Sequence, residues 1–137
     1  MADGYFPLTS EQQDWAARAA DLAQRELAPH AAENDRTATF PSHGLDALKK
    51  EGFWNLRVSR EHGGLQESLL TTVLVTEALA KRCASTSLCY KMHLEASELV
   101  ARIGTPDQIE RFVRPIVSGA ALARMSGCPD NLVGCRP

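Results

Sequence analysis

Apolar residues recur along this chain at intervals of three and four, and two-residue alternation is nearly absent. That pattern predicts helices and no sheet. Trp15, Ala19, Leu22, Ala23 and Leu27 share one helical face, with Ser10 and Gln13 spaced as a capping box ahead of them and Pro29 expected to end the run. Residues 30–39 are polar and unpatterned, so a connection is expected there. Pro41 and Ser42 then open a short helix carrying Leu45 and Leu48, closed by Gly52. Phe53, Trp54, Leu56 and Val58 are too apolar for an open loop and are expected to plug the base of a bundle, before the turn signal Glu61-His62-Gly63-Gly64.

From Ser68 to Ala84, Leu70, Val73, Leu74, Glu77 and Ala78 repeat with a period near 3.6, with Leu69 widening the stripe. This reads as a central helix. After the small polar stretch Ser85-Thr86-Ser87, a fourth helix is expected to put Leu88, Met92, Ala96, Leu99, Val100 and Ile103 on one side and to end at Gly104. Its other side carries Lys91 with Glu95 and Glu98 with Arg102, spaced for i,i+4 ion pairs. Thr105-Pro106-Asp107-Gln108 is the clearest helix start: a Thr cap, Pro in the first position and Gln three residues after the cap. Ile109, Phe112 and Val113 pack in this last helix, which Pro115 limits. The expected fold is all-α, a four to five helix up-down bundle with an irregular C-terminal tail.

Composition agrees with a single core. The chain has 137 residues, 44% of them hydrophobic. Fifteen basic residues against 17 acidic ones leave a formal charge of -2, spread along the chain. Neither nucleic acid nor a membrane surface is an implied partner. The N-terminus lacks a basic segment followed by an apolar one, and no membrane-spanning run exists, so a cytoplasmic location is expected.

Cys83, Cys89, Cys128 and Cys135 lack CxxC spacing. In the absence of a signal peptide, free thiols are the default. Cys89 and His93 share a helical face and could join the two late cysteines around zinc, but structural zinc sites use tighter ligand pairs. The expectation is therefore no metal, with Cys83 and Cys89 as small buried groups and His93 a hydrogen-bonded helix residue.

Four blocks carry a resemblance to a known family. They are LTSEQQDWAARAADLAQRELAPHAAENDR, FPSHGLDALKKEGFWNLRVSREHGG, VTEALAKRCAST followed by His93, and GTPDQIERFVRPIVSG. In order and spacing they resemble the N-terminal helical domain of the acyl-CoA dehydrogenase family, over residues 8–119. Ser59 stands where the family typically has Pro, and His62 where it has an aromatic residue. The resemblance implies an FAD-dependent oxidoreductase that dehydrogenates an acyl-CoA substrate between its α- and β-carbons and commonly forms homo-oligomers.

The same resemblance puts the flavin contacts and the catalytic glutamate in later domains, so no catalytic or cofactor-binding residue is expected in this chain. Residues 120–137 form a divergent tail. ALARMSGCPDNLVGCRP does not match the Glu-Pro and Gly-Ser segment that opens the family's β-domain. A shifted reading frame, a cut fragment and an authentic small protein are the alternatives, and the change of composition favours the first. The chain alone is expected to be inactive. The competing class is a non-catalytic helical module that self-associates or binds a partner chain, through apolar surface left uncovered.

The resemblance also implies that the helix after the Cys-Ala-Ser block lines the acyl pocket, at Ser87, Leu88, Lys91 and Glu95. If Ser87, Lys91 and Glu95 face that pocket as a polar stripe, the acyl group is short, branched or polar. The plainer alternative is a solvated charged face with Leu88 and Met92 as lining. Glu77 sits on the apolar stripe, but pairing with an Arg or Lys, or capping a neighbouring backbone, is its expected fate rather than catalysis. Gly63-Gly64 lacks the spacing of a phosphate-binding loop and reads as a turn.

Overall fold

The computed structural model describes residues 7–124. Among them there are helices and no strands, as the periodicity predicts. The late cysteines Cys128 and Cys135, and the tail from residue 125, lie outside the described residues.

The first helix differs from expectation at both ends. Thr9, not Ser10, is the N-cap: its hydroxyl accepts from the Gln12 N–H at 3.2 Å, and the Gln12 side chain accepts from the Thr9 N–H at 3.1 Å. The capping box is real but one residue earlier than the sequence suggested. At the other end Pro29 does not stop the helix. α1 (Ser10–Leu22) passes into a π-helical turn (Ala23–Leu27) and on into α2 (Ala28–Thr37). Proline has no N–H to give and crowds the carbonyl four residues back. Widening the turn just before it relieves that conflict, so residues 30–37 are helical rather than a connection.

α3 (Ser42–Lys50) buries Leu45 and Leu48 and is followed by Gly52 at φ +83°. The connector then does what its composition predicts. Phe53, Trp54, Leu56 and Val58 are all buried, and Phe53 meets Trp15 edge-on with ring centroids 5.3 Å apart. Each such side chain removed from water contributes about 1.5–3 kcal/mol. A short 3-10 turn (Arg60–His62) leads into Gly63 and Gly64.

α4 (Leu69–Ala80) and α5 (Ala84–Ile103), joined at Lys81–Cys83, pack along each other, and α4 also packs on α1. Their buried faces are not the predicted ones. In α4, Thr71, Thr72, Val75 and Leu79 are buried while Leu69, Leu70 and Val73 are exposed. The helix is apolar on almost every side, so periodicity had no basis for choosing a face. The threonines go inward at little cost, because Thr72 Oγ1 donates to the Ser68 carbonyl at 3.2 Å and Thr71 Oγ1 donates to Glu67 at 3.3 Å.

α5 starts at Ala84, so Ser85-Thr86-Ser87 is its first turn and not a linker. It buries Thr86, Ser87, Tyr90, His93, Leu94, Ala96, Ser97 and Ala101, whereas Leu88, Leu99 and Ile103 remain exposed. The inward stripe is the mixed polar one.

The last helical stretch comprises α6 (Pro106–Gln108), a second π-helical turn (Ile109–Val113) and α7 (Arg114–Val117). The Thr105 capping box forms as read, with Gln108 Oε1 accepting from the Thr105 N–H at 2.8 Å. A π turn again precedes a proline, Pro115, and carries the helix through it. No helix among the described residues is long and apolar enough to cross a membrane.

Candidate functional site

The misread faces of α4 and α5 leave large apolar side chains in solvent. Leu69 is 67% exposed, Leu88 60% and Ile103 74%. Leu69, Leu99 and Ile103 line a groove of about 540 Å3 together with Arg57, Glu95, Glu98 and Arg102. The groove thus combines an apolar floor with charged side chains at its margin.

The sequence-predicted positions divide within this region. Ser87 is buried and turned inward, its hydroxyl donating to the Thr76 carbonyl at 2.8 Å, so it ties α5 to α4. Leu88, Lys91 and Glu95 stay on the outer side of α5. Lys91 Nζ and Glu95 Oε1 form the expected ion pair at 2.5 Å, with both side chains about half exposed. Met92 is half-buried beside them. Ser87 therefore does not extend the polar stripe that Lys91 and Glu95 make.

Sequence reasoning missed Arg57. Its guanidinium grips the Glu98 carboxylate in a two-pronged pair, Nε at 2.9 Å and Nη2 at 2.5 Å, and Nη1 donates to the Glu67 carbonyl. Both side chains are mostly buried, so the pair ties the connector to α5 at the groove wall. The partners lie 41 residues apart, and only Arg102, the expected i,i+4 neighbour of Glu98 at 3.3 Å, was visible locally.

His93 is completely buried and stacked on Trp54, ring centroids 3.8 Å apart. Its Nε2 lies 3.1 Å from the Trp54 carbonyl, which can only accept, and its Nδ1 lies 3.1 Å from the Ala123 N–H, which can only donate. The ring is thereby fixed as the neutral Nε2–H tautomer. Burial pushes its pKa down to about 4, and Lys49 adds to that against the raising effect of the Trp54 carbonyl. Neither nitrogen is free for a metal, and among the described residues no group of three or more His, Cys, Asp or Glu is arranged to hold one.

Glu77 is exposed and paired with Lys81 at 2.9 Å. Cys83 and Cys89 are free thiols. Burial raises the Cys83 thiol, but hydrogen bonds with the Ser85 and Thr86 hydroxyls and backbone together outweigh it and the net shift is downward. Tyr90 donates to the Phe53 carbonyl at 2.6 Å. At Gly64 a Cβ would stand 2.0 Å from the Val58 carbonyl oxygen, so the Gly63-Gly64 turn is filled by the chain's own backbone and offers no cradle to a phosphate.

The family model described as "Acyl-CoA dehydrogenase, N-terminal domain" matches residues 9–120. This chain belongs to the acyl-CoA dehydrogenase family. It is 34% identical over 115 residues to the 3-sulfinopropanoyl-CoA desulfinase of Variovorax paradoxus, which is 83% of this chain and 29% of that protein. It is 33% identical over 114 residues to the mitochondrial isobutyryl-CoA dehydrogenase of Bos taurus, covering 83% of this chain and 27% of that one. Among solved structures, butyryl-CoA dehydrogenase from Megasphaera elsdenii superposes with a TM-score of 0.76 at 28% identity, over 87% of this chain and 32% of that one. The chain thus spans about 30% of the length of these acyl-CoA dehydrogenase relatives. Both the α4–α5 groove and His93 fall inside the part matched by the acyl-CoA dehydrogenase domain.

Proposed function

We propose that this chain is the N-terminal helical part of an FAD-dependent acyl-CoA dehydrogenase-like oxidoreductase, and that the outer face of α4 and α5 forms one wall of its acyl pocket. The observation that supports this reading is the exposed apolar set Leu69, Val73, Leu88, Leu99 and Ile103 on a domain of this family. Bound in the complete enzyme, FAD would supply the hydride acceptor for the acyl β-carbon, with a carboxylate as base for the α-proton. The Gly63-Gly64 turn offers the flavin no phosphate cradle, because Gly64 is packed against the Val58 backbone.

On this reading FAD belongs to the complete enzyme, as do the catalytic base and any homo-oligomer contacts, and this chain alone is inactive. Leu88 and Met92 supply the lining of the wall. Lys91 and Glu95, neutralising each other at 2.5 Å and half exposed, form its solvated rim. Ser87 acts from behind by holding α5 on α4.

Two measurements test the proposal. In a complete homologue, a Trp at the position matching Leu88 should narrow acyl-chain preference toward shorter substrates, while leucines at the positions of Lys91 and Glu95 should leave it unchanged. A preference indifferent to the Leu88 change, or governed by the charged pair, would overturn this assignment of the wall. The chain itself, purified with excess FAD, should be colourless, and a stoichiometric flavin absorption band would show that it holds the cofactor after all.

A further inference from the structure

The end of α7 and the segment after it are fastened to the bundle by side chains that come from three different elements. Trp54 Nε1 donates to the Ile116 carbonyl at 3.1 Å and Asn55 Nδ2 to the Val117 carbonyl at 2.9 Å. Lys49 Nζ, from α3, donates to the Gly119 carbonyl at 2.8 Å. The outermost tie is of a different kind, the Ala123 N–H donating to His93 Nδ1 at 3.1 Å. It is also a tie beyond residue 120, where the match to the N-terminal domain ends.

We propose that His93 is a positioning residue that latches residues 120–124 to α5 and so fixes the direction in which the chain leaves the helical domain. Three observations make it a latch rather than a general packing contact. Its acceptor nitrogen is available only in one tautomer, which the Trp54 carbonyl enforces from the other side of the ring. The ring cannot slide, being stacked on Trp54, whose own N–H is tied to the Ile116 carbonyl. And α5 is the helix whose opposite side presents Leu88, Lys91 and Glu95: an α-helix turns about 100° per residue, which sets those residues roughly 160–220° around from His93.

One rigid helix thus carries the candidate pocket wall on one side and the exit segment on the other. The link to the pocket rests on the acyl-wall reading above. The latch itself does not, and it is measurable in this chain whatever the acyl preference of a complete homologue proves to be.

Nitrogen-15 spectroscopy of the full chain at neutral pH should show His93 with Nε2 protonated and Nδ1 bare. A protonated Nδ1 would overturn the proposal outright, because Ala123 would then have nothing to donate to. Amide hydrogen exchange of wild type and His93→Phe should differ mainly at Leu122, Ala123 and Arg124. We expect a loss of protection there of roughly tenfold, the scale of one net hydrogen bond, together with faster tryptic cleavage after Arg124. Unchanged exchange at Ala123, or an equal loss through all of α5, would mean that His93 only packs. Should His93→Phe not fold, Ala123→Pro removes the same donor from a half-buried position outside the helices, and unaltered tryptic cleavage after Arg124 in that variant would equally refute the latch.

Discussion

Lowering the pH should find His93 before it finds the rest of the core. The imidazole is buried, neutral and bonded at both nitrogens, with its pKa lowered from 6.5 to about 4. Because the folded state resists the proton that the unfolded chain accepts, the contribution is full above pH 6.5 and is lost as pH falls toward 4. With one pKa unit worth about 1.4 kcal/mol, the full swing is about 3 kcal/mol. Linkage distributes it unevenly: relative to pH 7, about 1 kcal/mol is lost by pH 5.5 and about 2 kcal/mol by pH 4.5. That is a large share of the stability of a domain this size. The assay is urea unfolding followed by Trp54 fluorescence in a Trp15→Phe background, repeated from pH 7.5 to 4.5 for His93 and for His93→Gln. Carboxylates common to both proteins cancel in the difference. His93→Gln should be weaker at neutral pH, and the gap should close by about 2 kcal/mol at pH 4.5. Parallel curves across that range would refute the claim that the imidazole is held neutral, whatever its hydrogen bonds.

Other perturbations discriminate among the remaining contacts. Gly64→Ala drives a Cβ to 2.0 Å from the Val58 carbonyl oxygen and should cost on the order of 2–4 kcal/mol, whereas Gly52→Ala, with a positive φ but open space, should cost only about 1 kcal/mol; equal losses in unfolding midpoint would show that the turn yields. Glu98→Gln leaves the Arg57 guanidinium without its carboxylate and should destabilise by about 1–3 kcal/mol, and a thermal midpoint equal to wild type would mean the pair is only a surface contact. Thr105→Ala removes the capping hydroxyl and should cost about 1 kcal/mol, detectable as faster amide exchange in the turn from Pro106 to Val113 and in few residues elsewhere.

Much of the architecture was legible because it is local. The Thr105 box needs only the residue types at positions 105, 106 and 108, and the pattern of Leu45 and Leu48 before Gly52 needs only one turn of helix. The first cap was displaced by one residue because Thr9 and Ser10 are both competent, with Gln12 and Gln13 both at the right distance to answer them. Pro29 and Pro115 were read as stops because proline forbids a regular α-turn. The chain instead widens the preceding turn, a solution sequence periodicity does not register.

The candidate site was harder to see for a different reason. Lys91 with Glu95, and Glu98 with Arg102, appeared at i,i+4 because both partners sit on one helix. The groove depends on Arg57, brought to Glu98 from another element, and on Leu69 and Leu99 being outside rather than in. No spacing in one dimension carries that information.

By itself the sequence determined the all-helical class, the order of α1, α3, α4, α5 and the last helical stretch, and the acyl-CoA dehydrogenase signature in residues 9–120, but not α2. Tertiary structure decided which sides of α4 and α5 are buried and in which protonation state His93 lies. Periodicity points inward only when a helix has one apolar face. α4 has more than one, so its neighbours α1 and α5 choose, and the leucines they leave uncovered become the surface on which the proposed function rests.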